Sequence, residues 1–135
     1  MMRKNLGIYL IFLTLLTTFD MIWLLGIAKN LYRDEMGSLM ATEPKLIAGV
    51  AFYLIYALGV CKFVLIPAKL KQSLSIAIKD GALFGFFCYM TYDLTNLAVI
   101  QNFPFQLTFI DLAWGSFVTS MCAGITYLIE RKRTR

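Results

Sequence analysis

Three aspartates sit inside runs of apolar sequence. Asp20 ends LGIYLIFLTLLTTFD, Asp93 interrupts GALFGFFCYMTYDLTNLAVI, and Asp111 falls in LTFIDLAWGSFV. A charged side chain near a bilayer centre costs roughly 2.5–3.5 kcal/mol on insertion scales, so each needs a partner or a task. Carboxylates accept hydrogen bonds, exchange protons and hold cations. Tyr89, Asp93, Asn96 and Leu97 share one helical stripe by their spacing, and Tyr92 with Asn96 forms its edge. Asn96 can donate to an ionised carboxyl and accept from a protonated one. Three like charges at one depth disfavour full ionisation together, so one carboxyl is expected to hold a proton or a bound cation.

The chain has no histidine, which removes the usual general base and the commonest zinc ligand. Cys61, Cys88 and Cys122 lie in separate apolar segments without metal-ligand spacing and read as small buried hydrophobes. No catalytic residue, metal site or cofactor is expected.

One motif occurs twice. Thr17-x-x-Asp20-x-x-Trp23 and Thr108-x-x-Asp111-x-x-Trp114 lie in the first and last apolar segments. If these cross the membrane in opposite directions as neighbours, Asp20 comes level with Trp114 and Asp111 with Trp23. An indole N–H only donates and a carboxylate only accepts, so reciprocal bonds are expected.

The elements that position these residues follow from composition. The 135 residues are 59% hydrophobic and 16% charged, with a mean hydropathy of +0.70; soluble domains are about 45–50% apolar and about 25% charged. A span takes about 20 helical residues. Four segments qualify, about 6–28, 46–66, 81–100 and 107–129. Their apolar runs lack the period of two that a membrane barrel would show. The fold class is therefore all-α, a single four-helix transmembrane domain over residues 1–135. The first run is longer than a signal-peptide core of about 7–15 residues and reads as a retained helix.

Counting about 1.5 Å per residue from the outer ends, Asp20, Asp93 and Asp111 fall in one half of the membrane, with Tyr53 of the second helix at the same level. Gly81 and Gly85 form a small-xxx-small pair where another helix can approach. Pro67 is expected to close the second helix, Pro104 to mark a tight turn, and Thr42-Glu-Pro44 to cap the second helix. The segment from Lys29 to Lys45 is the one sizeable loop, and Glu130 falls at a helix end.

The net charge of +5 does not imply nucleic acid, because the basic residues cluster at the ends of apolar runs instead of alternating with aromatics. Arg3, Lys4, Lys69, Lys71, Lys79, Arg131, Lys132, Arg133 and Arg135 belong to one side of an even-numbered bundle. Both termini are therefore expected in the cytoplasm, with Lys62 snorkelling to that surface.

Phe52-Tyr53-Leu54-Ile55-Tyr56 with Gly59, Pro67-Ala68, TYDLTNLA from Thr91 and DLAWG from Asp111 resemble a family of small bacterial membrane proteins of unknown function, domain-of-unknown-function family 2177. The resemblance covers nearly the whole chain and implies a multi-pass inner-membrane protein with no assigned activity.

Three functions fit these residues. The first is binding or transport of a proton, a cation or a small cationic solute at an outward-facing layer of Asp20, Asp93, Asn96, Asp111, Tyr53, Tyr89, Tyr92, Trp23 and Trp114. Transport by so small a bundle would call for a homodimer. The second is an accessory subunit in which the polar layer is interhelical glue. The third is an intramembrane enzyme acting on a lipid-linked substrate. Membrane lipid is a partner in all three.

A C-terminal reporter that works only outside the cytoplasm should be silent when fused to this chain. Reporter activity would reverse the assigned orientation.

Overall fold

The hydrophobic runs close into helices because hydrocarbon offers no partner for backbone N–H and C=O groups. In a computed structural model that describes residues 2–135, α1 (Met2–Ile22) continues through a π-turn (Trp23–Ile27). The short α2 (Lys29–Met36) and a 3-10 turn (Gly37–Leu39) follow. Next come α3 (Leu46–Val60), a second π-turn (Cys61–Leu65) and α4 (Ile66–Leu70), stacked as one rod. The chain ends with α5 (Leu74–Val99) and α6 (Phe105–Arg133). Four of these rods are long and apolar enough to cross a membrane: Arg3–Ile27, Leu46–Leu70, Leu74–Val99 and Phe105–Arg133. The protein is a four-span helical membrane protein. Its tail end carries the termini and residues 71–73; its loop end carries residues 28–45 and 100–104.

Lipid tails are as apolar as leucine, so close packing and polar bonds must hold the helices together. The antiparallel pair α5–α6 supplies both. A Cβ built on Gly81 would stand 3.1 Å from Ala123 Cβ and 3.2 Å from Ser120 Cα. One on Gly85 would press into the Gly115 carbonyl and stand 2.8 Å from Thr119 Oγ1. Ser116 Oγ donates to the Ala82 carbonyl at 2.9 Å, and Ser120 Oγ to the Ile78 carbonyl at 2.8 Å.

α1 buries Ile8, Phe12 and Leu16 at a spacing of four against this pair, and Asp20, 6% exposed, takes the next place on the stripe. The α3 rod buries Tyr56, Ala57, Val60, Cys61, Val64 and Leu65. By contrast, every residue from Leu46 to Phe52 is exposed to the protein's surroundings. The loop-end half of α3 thus stands clear of the core.

Several sequence expectations change. Pro67 does not close the second span: Ile66 N–H reaches back to the Cys61 carbonyl, and the wide turn carries the helix through Pro67 to Leu70. Thr42-Glu-Pro44 does not cap α3, which starts after Lys45 without a side-chain cap bond. α5 begins well before Gly81, because Ser73 Oγ accepts from Ile76 N–H at 3.2 Å. The segment after Lys29 contains α2. Cys61 and Cys122 are buried, but Cys88 is exposed. Glu130 is only 2% exposed and is held by Lys69 Nζ at 2.8 Å and by two Arg133 nitrogens at 2.8 and 3.0 Å. At the tight turn, Asn102 adopts φ 63 and Phe103 N–H closes onto the Ile100 carbonyl at 3.3 Å; asparagine tolerates that left-handed geometry.

Glycine contacts give a direct test. Gly85→Ala forces an overpacked interface and should lower stability by about 1–3 kcal/mol. Gly49→Ala, with no atom within 4 Å of the new Cβ, should gain roughly 0.5–1 kcal/mol. Thermal unfolding in detergent measures both, and an equal response at the two glycines would refute the close α5–α6 approach.

Candidate functional site

Asp20 and Asp93 are buried and Asp111 is half-buried, and each extends the inward stripe of its own helix. Asp20 follows Ile8, Phe12 and Leu16 on α1. Asp93 follows Gly81, Gly85 and the half-buried Tyr89 on α5. Asp111 lies on α6 between the buried Thr108 and Gly115. The packing of the spans therefore turns all three carboxyls inward at the loop end, where donors come from other helices.

Asp20 takes two donors. Trp114 Nε1 reaches Oδ1 at 2.9 Å, and the Tyr53 hydroxyl bonds to Oδ2. One carboxyl thus joins α1, α3 and α6. The reciprocal contact is relayed: Trp23 Nε1 donates to the Tyr32 hydroxyl at 3.4 Å, and Tyr32 donates to Asp111 Oδ1 at 2.5 Å. The two indoles stack, with centroids 4.4 Å apart and planes 9° from parallel. The π-turn that begins at Trp23 widens the end of the first span there, and Ala28 N–H closes it onto the Trp23 carbonyl at 2.7 Å.

Asp93, only 2% exposed, faces the Asp111 carboxyl of α6. Asp93 Oδ2 receives no hydrogen bond from any described residue. Neither side-chain ion pair among the described residues reaches this layer; both belong to Glu130 at the tail end. Asn96 lies one turn away beside the Tyr92 hydroxyl. The ring of Tyr89 lies over Gly115, whose missing side chain leaves room for it.

Between α1, α3 and α5 lies a cavity of about 490 Å³. Asp20 and Asp111 line it with Tyr53, Tyr89 and Tyr92, whereas Asp93, Asn96 and the two tryptophans stand outside the lining. The Tyr56 hydroxyl, 2.7 Å from Thr119 Oγ1, forms its floor, and the Tyr56 ring packs edge-on against Phe84 and Tyr89. Among the described residues no three His, Cys, Asp or Glu side chains gather closely enough to hold a metal ion. The carboxyls form a pair, Asp93 with Asp111, and a separate Asp20.

Tyr32 was missed in the sequence because it lies in KNLYRDEM, a charged stretch outside every apolar run. Its signal was a lone aromatic in a short amphipathic helix. Burial first, and then the adjacent Asp111 carboxylate, hold its hydroxyl well above the usual tyrosine value. It therefore remains an O–H donor at neutral pH. Tyr56 and Phe52 were visible only as part of the FYLIY stretch that carries the family resemblance, and nothing in the sequence marked Cys88 as a wall of the cavity.

The chain belongs to a family of predicted membrane proteins, DUF2177, whose family model matches residues 5–128. No curated protein and no solved structure matches the chain.

Tyr32→Phe removes the link between α2 and Asp111. Amide exchange across Lys29–Met36 should then accelerate at least several-fold while α5 and α6 stay protected; unchanged exchange would show that the hydroxyl does not anchor α2. Because the folded state holds the Tyr32 proton more tightly than the unfolded chain, the stability it adds is fully present below pH about 10. It declines above that value as the unfolded tyrosine ionises. Wild-type stability should show that alkaline loss, and the variant should show less of it.

Proposed function

We propose that the protein binds small organic cations in the loop-end cavity, and that this side faces away from the cytoplasm. The observation that carries the reading is the chemistry of the walls. Asp20 and Asp111 bring negative charge with no lysine or arginine paired to it, and the rest is mostly aromatic, with Phe52, Tyr53, Tyr56, Tyr89 and Tyr92. Aromatic faces attract cations, most strongly where water is excluded. A volume of about 490 Å³ is in the range of small-molecule sites, about 300–1,000 Å³. The divided arrangement of the carboxyls suits a diffuse organic charge better than a compact metal ion, which needs several oxygens at one point. Outward orientation rests on the lysines and arginines at the tail end. Movement of the cation through the membrane would be a further step, and a pair of copies with two-fold symmetry would give it room.

The bonds to Asp20 favour a second reading, an accessory subunit. Tyr53 and Trp114 already satisfy that carboxylate, and such bonds contribute about 0.6–2 kcal/mol each in membrane helices. Under this reading the aspartates hold helices together and bind nothing.

Tetramethylammonium added to detergent-solubilised protein should raise the unfolding temperature in a saturable way. Asp111→Asn should remove at least nine-tenths of that response while leaving a folded, inserted protein. A protein indifferent to organic cations at every pH, but destabilised by substitution of any of the three aspartates, would establish the accessory reading instead.

A further inference from the structure

We infer that the cavity opens sideways into the hydrocarbon of its own leaflet, and that its ligand is an amphiphile with a cationic amine head and an apolar tail. The inference rests on the cation site proposed above and names the class of cation.

Depth is the first ground. Gly49, Phe52, Cys88 and Tyr92 line the cavity and are also exposed on the outside of the bundle. Cys88 lies eleven residues from Val99, the loop-side end of its span, which places it about 16 Å down. That is near the middle of a hydrocarbon layer about 30 Å thick. A wall exposed at that depth faces lipid tails and not water.

Closure elsewhere is the second ground. Below, Tyr56 is fixed to Thr119, and beneath it Ala57, Val60 and Cys61 are packed into the core. Above, Tyr32 of α2 is bonded to Asp111 and Trp23, so that helix lies over the carboxyl end. At the side, the loop-end half of α3 is exposed from Leu46 to Phe52, and a Cβ on Gly49 would meet no atom within 4 Å. The gap beside α3 is the mouth.

The third ground is how polarity is sorted. The carboxyls of Asp20 and Asp111 stand at the inner wall, whereas Gly49, Phe52 and Cys88 form the rim. A hydrophilic cation would have to cross hydrocarbon to reach the carboxyls from this mouth. A molecule already anchored in the leaflet by its tail would present only its head to the cavity, and its tail would remain in lipid.

Tryptophan fluorescence reads the site directly, since the chain has only two tryptophans and both are bonded to groups at the cavity. In proteoliposomes, micromolar dodecyltrimethylammonium, well below concentrations that dissolve vesicles, should change the emission saturably. Asp111→Asn should abolish the change. Gly49→Trp would confuse the readout, so Gly49→Leu is the variant that fills the mouth; it should weaken the response at least tenfold with no loss of thermal stability. Tetramethylammonium added outside the vesicles should act at least a hundredfold more weakly than the amphiphile. If the two act equally, the site is entered from water and the sideways mouth is refuted, while the cation reading stands. If dodecyl phosphate or an uncharged dodecyl glycoside acts as strongly as dodecyltrimethylammonium, the amine head is refuted. If no cation of either kind acts in vesicles or in detergent, the cation site itself falls.

Discussion

A carboxyl group in hydrocarbon has no water to turn to, and the loop-end half of this bundle is arranged around that constraint. Asp20 lies on the same buried stripe as Ile8, Phe12 and Leu16, so its helix cannot turn it out without exposing its packing face. Donors must come to it. They come from α3 through Tyr53 and from α6 through Trp114, and this fixes which helices are neighbours at that level. Asp111 draws in α2 by the same logic, since Tyr32 is its donor. Asp93 faces another carboxyl, that of Asp111, and its Oδ2 takes no hydrogen bond from any described residue.

The opposite half obeys a different rule. There the helices are held by close approach: Gly81 and Gly85 let α6 come near, and serine hydroxyls bridge to carbonyls of α5. The one buried charge, Glu130, is matched by Lys69 and Arg133. A buried carboxylate paired in this way can stay ionised. The two ends therefore treat acidic residues oppositely: ion pairs at the tail, hydroxyl and indole donors at the loop end. The uncompensated end is the one that also has an open cavity.

Most of the architecture was legible in the sequence because hydropathy reports spans directly, and the charge of the connections reports their alternation. The inward facing of Asp93 was legible too, as a spacing of three and four along its helix. The Thr-x-x-Asp-x-x-Trp repeat correctly pointed to the contact of Asp20 with Trp114. It could not show that Tyr32 would stand between Trp23 and Asp111, because a loop residue has no periodicity that predicts where it folds back. Helix ends were less legible. Ser73 starts α5 at a polar cap outside the apolar run, and Pro67 was read as a stop because a proline normally is one. The cavity was hidden for another reason: it is the place where the loop-end half of α3 stands clear of the core, and sequence patterns report contacts rather than gaps.

The π-turn at Cys61–Leu65 bears on how the length of this chain can vary. The buried residues Tyr56, Val60, Val64 and Ala68 recur at intervals of four, whereas an α-helix repeats every 3.6 residues. Left uncorrected, the buried line would wind away around the rod. A turn that holds an additional residue takes up the drift and keeps the line facing α5 and α6. That additional residue is, in effect, an insertion already absorbed. Losing one residue from Cys61–Leu65 would restore an ordinary turn and leave the flanking faces almost in place. Losing one between Gly85 and Asp93 would swing everything beyond it by about 100° and part Asp93 from Asp111. Loss of one residue should thus be survivable at Cys61–Leu65 and disabling between Gly85 and Asp93.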